Sequence, residues 1–234
     1  MRAVFRREFR AYFQSPLGYV FIAVMYFFTA YYFFTFNLYQ NTTDLSNLFN
    51  QLFSVVLFLA PILTMRLMSE EKRSRTDQLL LTAPVSRAGI VMGKYLSALC
   101  VYLVAISATV LISLVMSAYA APDWPVIIGN IVGLALLGVS LIAICLFLSS
   151  ITESQVIAAV CGFAASLFLI LVDALVNVVS GSLFKTIFSY MSFNTRYNGF
   201  TIGIIDFSNV LFFVSIAALF LLLTTSVLER RSWN

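Results

Sequence analysis

Six long apolar runs, separated by shorter polar segments, dominate the chain. They cover residues 17–39, 49–65, 95–119, 126–148, 154–179 and 207–228. An α-helix needs about 20 mostly apolar residues to cross the hydrocarbon core of a bilayer. Because each run is long enough for one crossing, the pattern predicts an all-α polytopic membrane protein with six transmembrane helices.

The first 15 residues show a different pattern, which is amphipathic rather than uniformly apolar. One face of a helix over residues 1–15 would carry the aromatic side chains of Phe5, Phe9, Tyr12 and Phe13. The other face would carry Arg6, Arg7 and Arg10. An apolar face beside a basic face is typical of a helix that lies in the membrane interface, with its arginines toward anionic headgroups.

Composition supports the membrane prediction and removes several other classes of protein. The chain is 61% hydrophobic and only 10% charged, with a mean hydropathy of +0.97, whereas a soluble domain is about 25% charged. It has no histidine, and its three cysteines lie in apolar runs without metal-ligand spacing. We therefore expect no metal, haem or other cofactor in this chain. The basic residues behind the net charge of +4 lie next to the apolar runs, where they set membrane topology, so we expect no nucleic acid partner.

Basic residues are concentrated on one side of the predicted bundle. Twelve of the 14 lysines and arginines lie before the first run, between the second and third runs, or after the sixth. The other two, Lys185 and Arg196, precede the sixth run. Positively charged flanks stay in the cytoplasm, so the prediction places both termini and the segment 66–94 on the cytoplasmic side.

The segment 66–94 is the longest charged stretch of the chain. We expect Ser69 to cap a helix there, because Glu70 and Glu71 would follow in its first turn and basic residues would lie further on, which matches the helix dipole. Pro84 would end that helix. Two interpretations stay open: a solvated connector that sets topology, or a rigid charged surface for a soluble partner.

Several other positions predict how the helices bend, begin and pack. Pro61 predicts a kink near the end of the second run, and Thr152 is expected to cap the fifth helix. Gly129 and Gly133 have the G-x-x-x-G spacing that permits close helix contact, which we expect within one subunit rather than between subunits.

Asp173 lies well inside the fifth apolar run, where a carboxylate is costly unless it is paired or hydrated. A functional role in ion or proton movement is one interpretation. The other is structural: a hydrogen bond to a serine or threonine of a neighbouring helix, or a wet position near the outer surface. Asn177 and Ser180 follow one and two turns later and favour that outer position.

Three motifs in and after the charged segment resemble a known family. S-E-E-K-R-S-R-T begins at Ser69, L-L-L-T-A-P-V-S begins at Leu79, and G-K-Y-L occupies residues 93–96. Together with the amphipathic start and the six runs, they resemble ABC-2 type transporter permeases over nearly the whole chain. G-I-I-D at residues 203–206 and the tail E-R-R-S-W are most similar to the branch of gliding-motility and nitrous-oxide-reductase-maturation permeases.

The resemblance implies an ABC-2, type V exporter-like fold, with residues 1–234 as one transmembrane domain. It implies two permease copies, as a homodimer, and a separate ABC ATPase subunit that binds ATP and Mg. The interfacial helix over 1–15 and a coupling loop over 66–94 would contact that ATPase. The residues implied to couple the two subunits are Glu70, Glu71, Lys72, Arg73 and Arg75.

The resemblance also has implications for the outer side and for the location of the protein. The segment 180–206 would be an extracellular gate element that dips into the membrane. An extracellular accessory subunit is a further candidate partner, beside the lipid bilayer itself. The implied location is the plasma membrane, which in bacteria is the inner membrane.

The chain lacks a phosphate-binding loop of the form G-x-x-x-x-G-K-[ST]. The nearest sequence, at residues 89–94, is one residue short between its glycines and is followed by Tyr95. We therefore expect that the chain is not itself an enzyme and that ATP hydrolysis occurs in a separate subunit.

Export of a substrate is the function that the resemblance favours, and two alternatives remain. In the first alternative, the complex transmits force to an external partner without moving a solute, and the segment 180–206 is the docking surface. A proton-coupled secondary transporter would use Asp173, although the spans show no evident inverted repeat. An intramembrane enzyme is disfavoured, because the chain has no histidine and no G-x-S-x-G motif.

Overall fold

A computed structural model describes residues 1–74, 86–119, 122–178 and 192–231. The elements in these ranges are helical, and no β-strand occurs in them. The helices are α1 (Arg2–Gln14), α2 (Pro16–Tyr32) with a π-helical extension (Phe33–Leu38), α3 (Ser46–Thr64), α4 (Arg66–Arg73), α5 (Arg87–Tyr119), α6 (Trp124–Ile151), α7 (Gln155–Val178), α8 (Phe193–Thr201) and α9 (Phe207–Arg231).

Six helices in the described ranges are long and apolar enough to cross a membrane, which confirms the predicted number. They are Pro16–Leu38, Ser46–Arg73, Arg87–Tyr119, Trp124–Ile151, Gln155–Ala174 and Phe207–Arg230. The protein is therefore an all-α polytopic membrane protein.

The helices extend further into the charged segment 66–94 than the apolar runs do. Helix α4 follows α3 after a single residue, Met65, and α5 already begins at Arg87. Glutamate, lysine, arginine, leucine and methionine are good helix formers, so a helix continues past the point where the sequence stops being apolar. Residues 75–85, including the predicted coupling residue Arg75 and the predicted helix end at Pro84, lie outside the described residues.

Helices α3 and α6 form the centre of the bundle. In their most apolar stretches, 67% and 56% of the residues are buried, against 22% in α2, 22% in α7 and 17% in α9. Helix α6 packs against α3, α5, α8 and α9. The apolar residues on the outer faces of α2, α7 and α9 remain exposed, as expected for side chains that contact lipid.

Pro61, the residue predicted to kink the second span, lies inside α3, which ends at Thr64; Met65, itself in helical conformation, separates α3 from α4. Proline has no N–H, so Pro61 cannot donate to the carbonyl of Leu57 one turn earlier. Ser166 of α7 replaces that donor, with its Oγ 2.7 Å from the Leu57 carbonyl oxygen. Helix α7 approaches closely here because Gly162 has no side chain: a Cβ on it would lie 2.7 Å from Cβ of Pro61.

The start of α4 is stabilised by a serine from another helix. Ser149 of α6 accepts from the backbone N–H groups of Met68 and Ser69, at 3.3 Å each, and donates to the carbonyl of Met65 at 3.0 Å. The expectation that Ser69 caps this helix is wrong. Ser69 lies inside α4, and its hydroxyl donates to the carbonyl of Met65 one turn earlier, as serine does within a helix.

Thr152 also differs from its predicted role. Helix α7 begins at Gln155, and the Thr152 hydroxyl is buried without a hydrogen-bond partner among the described residues. The residue instead follows the last turn of α6 in extended conformation.

The glycines of α6 pack against the short helix α8 and the turn after it. A Cβ on Gly133 would lie 2.8 Å from Cβ of Phe200, and one on Gly129 would lie 2.7 Å from the Phe200 carbonyl oxygen. Gly203, in that turn, has φ +81° and lies against Val126. Packing of the G-x-x-x-G motif within the subunit is thus confirmed.

Candidate functional site

Residues four apart in helix α1 lie on the same face, and each face of this helix has a distinct chemistry. Val4 and Tyr12 are buried and Glu8, between them, is partly buried, so this face points into the protein. The next stripe, Phe5, Phe9 and Phe13, is partly exposed, and the stripe Arg2, Arg6 and Arg10 is exposed. Helix α1 therefore packs along one face and leaves an aromatic and a basic stripe outside.

Two contacts fix α1 against α3 and α5, the helices of the second and third spans. The hydroxyl of Tyr12 donates to the carbonyl of Leu63 at 2.8 Å, and its burial raises the pKa of Tyr12 well above the usual range. Gly93 of α5 lets the backbone of α1 approach, because a Cβ there would lie 3.1 Å from Cβ of Val4. The glycine of G-K-Y-L is thus a packing residue.

Lys94 joins three helices through one buried ammonium group. Its side chain is 1% exposed, and its Nζ lies 2.6 Å from the Leu67 carbonyl oxygen, 2.9 Å from Glu71 Oε2 and 3.3 Å from Glu8 Oε1. An ammonium has three protons to donate, and these three acceptors match that number. Glu8 belongs to α1, Leu67 and Glu71 to α4, and Lys94 to α5.

Arg7 completes the cluster from the surface side. Its guanidinium forms ion pairs with Glu8, at 2.6 Å, and with Glu71. Partial burial lowers the pKa of Arg7, but hydrogen bonds and charge interactions with Glu8 and Glu71 outweigh that effect, so the net shift is upward. The four side chains carry two positive and two negative charges, and we call them the Lys94 junction (Arg7, Glu8, Glu71, Lys94).

A cleft of about 340 Å³ opens beside the Lys94 junction. Besides the four junction residues, it is lined by Ala11, Tyr12, Arg66, Leu67, Glu70 and Ser74. These residues come from α1, α4 and the residue after α4, so the cleft lies between the two elements that were expected to meet a soluble partner.

The predicted coupling residues fall into different environments, and their role stays a prediction. Glu71 is only 17% exposed and points into the junction. Lys72 donates to the carbonyl of Ser150 in the last turn of α6. Glu70 is 45% exposed and pairs with Arg66 at 2.7 Å, while Arg73 is exposed.

The predicted interfacial residues of α1 lie on the two outer stripes. Phe5 and Phe9 stack with ring centroids 5.8 Å apart, and Arg6 and Arg10 are exposed. Arg7, assigned from the sequence to the same basic face as Arg6 and Arg10, instead reaches α4.

Asp173 makes its described contacts at the start of the short helix α8. Its Oδ1 accepts from the hydroxyl of Ser192 at 2.6 Å and from the backbone N–H of Asn194 at 3.4 Å. A carboxylate at a helix N-terminus is favourable because it satisfies free N–H groups and the helix dipole. These contacts match the structural interpretation of Asp173. The predicted gate segment 180–206 is otherwise described only from residue 192 onward.

Three members of the site escaped the sequence interpretation: Glu8, Lys94 and Ser149. Glu8 is the only acidic residue in α1, and it continues the inward stripe of Val4 and Tyr12. Lys94 stood inside the motif G-K-Y-L, where its apolar neighbours were a signal for burial. Nothing local marks Ser149, because its partners lie 80 and more residues away.

Among the described residues, no group of three or more His, Cys, Asp or Glu side chains comes together as metal ligands would.

The fold and site define a class of protein: a membrane bundle of six spanning helices in which a charged junction joins three helices at one end. The family model described as ABC-2 family transporter protein matches residues 2–233. The chain therefore belongs to the ABC-2 transporter family, whose members are membrane-spanning permeases of ABC transporters. No match was found among curated proteins.

Proposed function

We propose that the chain is the permease subunit of an exporter and that a separate ATPase subunit drives it from the cytoplasmic side. In this proposal the protein lies in a plasma membrane. Helices α1, α4 and the start of α5 lie on its cytoplasmic side and form the region that contacts the ATPase. ATP and Mg bind to the partner, and two permease copies assemble as a homodimer around the substrate path.

The Lys94 junction is the observation that carries the proposal. A movement of α4 displaces Glu71 and the carbonyl of Leu67, which both bind the ammonium of Lys94. Separating a buried ammonium from its carboxylates is costly, so α5 and, through Glu8, α1 should follow α4. The junction thus gives a push on one short helix a direct route into a spanning helix of 33 residues.

A second set of contacts links α4 to the end of α6. Ser149 bonds the first turn of α4, and Lys72 donates to the carbonyl of Ser150. Because α6 is central and packs against α9, α3 and α5, a displacement of α4 would reach the centre of the bundle. This arrangement supports a coupling role for α4.

Arg73 and the exposed part of Glu70 are the coupling candidates that we assign to direct contact with the ATPase. Glu71 and Lys72 would instead hold α4 to the rest of the permease. Arg75 remains a candidate for direct contact from its position in the sequence alone.

The narrower assignment to the gliding-motility and nitrous-oxide-reductase-maturation branch rests on the motifs G-I-I-D and E-R-R-S-W. Force transmission to an external partner, without movement of a solute, is the alternative function within the wider family. The contacts of Asp173 with Ser192 and Asn194 favour a structural role for this carboxylate over proton transport.

Purification of the chain in mild detergent, followed by an assay for vanadate-sensitive ATP hydrolysis, tests the proposal. We expect a stoichiometric ATPase subunit in the eluate and hydrolysis that the permease modulates. Reconstitution then separates the alternatives, because an exporter moves solute with ATP, whereas a force-transmitting complex hydrolyses ATP without solute flux. A preparation that lacks an ATPase and transports in response to a pH gradient, with loss of transport in Asp173→Asn, would refute the permease role.

A further inference from the structure

Arg2, Arg6 and Arg10 form one exposed basic stripe along α1. They repeat every four residues, so neighbouring arginines are about 6 Å apart along the helix axis. None of the three has a hydrogen-bond or ion-pair partner among the residues that the structure describes. The stripe therefore presents three unneutralised charges in one row.

This row is unfavourable for the isolated chain. Like charges four residues apart on a helix repel each other. Arg2 also lies at the positive end of the helix dipole, and the first turn of α1 has no acidic residue to offset it. Glu8, the acidic residue of the helix, faces inward toward Lys94. An anionic partner at the stripe would remove all of these costs.

The aromatic stripe next to the arginines indicates where that partner is. Phe5 stacks on Phe9, Phe9 contacts the tilted ring of Phe13 at a ring-centroid distance of 5.1 Å, and Phe13 contacts Tyr19 of α2 at 5.5 Å. The row of rings thus runs without a break from α1 into the first spanning helix. Since α2 enters the membrane, the rings of α1 lie at the boundary between acyl chains and headgroups.

The arginine stripe lies about 100° around the helix from the aromatic stripe, which raises it from this boundary to the level of the headgroups. We propose that Arg2, Arg6 and Arg10 bind the headgroups of anionic phospholipids in the membrane leaflet that adjoins α1. An acidic protein surface is the competing partner for such a stripe. The continuous aromatic row favours lipid, because rings inserted at the acyl boundary hold α1 at the membrane surface, where the arginines reach the headgroups.

Quenching of a single tryptophan by brominated lipids tests the proposal on the full-length chain without any ATPase. The reporter variant is Phe9→Trp with Trp124→Phe and Trp233→Phe, reconstituted in phosphatidylcholine vesicles. Brominated phosphatidylglycerol or brominated phosphatidylcholine is then added at equal mole fraction. We expect stronger quenching by the anionic lipid, and we expect added salt to weaken this preference.

Substitutions of the stripe should remove the preference in steps. Each change of Arg2, Arg6 or Arg10 to Gln should lower the ratio of the two apparent lipid affinities by up to about fivefold, as expected for a basic residue at an anionic surface. Lysine at the three positions should retain the preference. Arg230→Gln is the matched control: it removes an exposed arginine at the end of α9 and should leave the ratio unchanged.

Equal quenching by the two lipids in the reporter variant would overturn the proposal. So would a preference that persists in Arg2→Gln/Arg6→Gln/Arg10→Gln, or one that falls equally with Arg230→Gln. The single substitutions keep the test valid if the triple variant does not fold. Loss of ATPase co-purification without any change in quenching would assign the stripe to a protein partner instead. Because the quenching assay needs no ATPase, its outcome is independent of the proposed function.

Discussion

Lys94 is a buried charge whose environment satisfies it. Three acceptors surround its ammonium group, and the Lys94 junction as a whole is neutral. Replacing one member of such a cluster leaves the opposite charges buried and unpaired, which is strongly destabilising, whereas replacing the whole cluster by neutral groups of similar size is often tolerated. The stability of the end of the bundle that contains α1 and α4 therefore depends on the balance of the cluster more than on any one of its ion pairs.

Lys94→Met should lower the free energy of unfolding by about 3 kcal/mol, because Glu8 and Glu71 lose their shared cation while they are still largely buried. Thermal unfolding in detergent would measure the effect. The matched control is Glu8→Gln/Glu71→Gln/Lys94→Met, which removes the carboxylate charges as well. Recovery of most of the lost stability is expected, and a control no more stable than the single variant would contradict the charge-balance explanation.

The orientation of individual charged side chains is the feature that the sequence predicts least completely. The sequence predicts five coupling candidates in the charged segment 66–94 and does not distinguish between them. Whether a charged side chain of a helix points inward or outward depends on the helices beside it, which here include α1. Glu71 and Glu70 are adjacent in sequence, yet one faces Lys94 and the other pairs with Arg66 at the surface.

At the scale of elements, α3 and α7 fit together through a proline and a serine from different spans. Pro61 leaves the Leu57 carbonyl without its usual helical donor, and Ser166 supplies the missing hydrogen bond. Gly162, one turn before Ser166, makes room for the proline ring. The hydrogen bond that is missing in the second span is thus supplied by a side chain of the fifth span.

Ser166→Ala should destabilise the protein by about 1–3 kcal/mol, because the Leu57 carbonyl is then buried without a partner. In the background Pro61→Ala the same change should cost much less, since alanine at position 61 regains a backbone N–H that donates to Leu57. A double-mutant cycle of thermal unfolding measures this coupling. Ser140→Ala is the control: Ser140 is buried in α6 but bonds only carbonyls of its own helix among the described residues. Equal costs of Ser166→Ala in both backgrounds would show that Ser166 does not substitute for the missing N–H.

The whole molecule has two ends with different chemistry. One end contains α1, α4 and the Lys94 junction, and the other contains α8 with its bonds to Asp173. Between them, the apolar outer faces of α2, α7 and α9 leave little polar surface. In the proposed orientation, a soluble ATPase contacts the end that contains α4.

Charge reversals on α4 should separate contacts within the permease from contacts with the ATPase. Arg73→Glu changes an exposed residue, so we expect unchanged thermal unfolding of the permease but roughly tenfold weaker binding of the ATPase, or about 1.4 kcal/mol. Glu71→Lys should instead destabilise the permease itself, because it places a third cation beside Lys94 and Arg7. Thermal unfolding and a binding titration on each variant provide the comparison. Normal ATPase affinity in Arg73→Glu would remove Arg73 from the proposed interface.

The fold class, the six spans, the amphipathic start and the packing role of the α6 glycines can all be predicted from the amino-acid sequence. These features depend on local properties, namely the length of an apolar run, the spacing of side chains on one helix and the small size of glycine. Which charges are buried, and which side chains replace missing backbone hydrogen bonds, depends on how the helices pack. Glu8 and Lys94 are 86 residues apart and Leu57 and Ser166 are 109 apart, so the burial that makes each pair necessary exists only once the helices have packed.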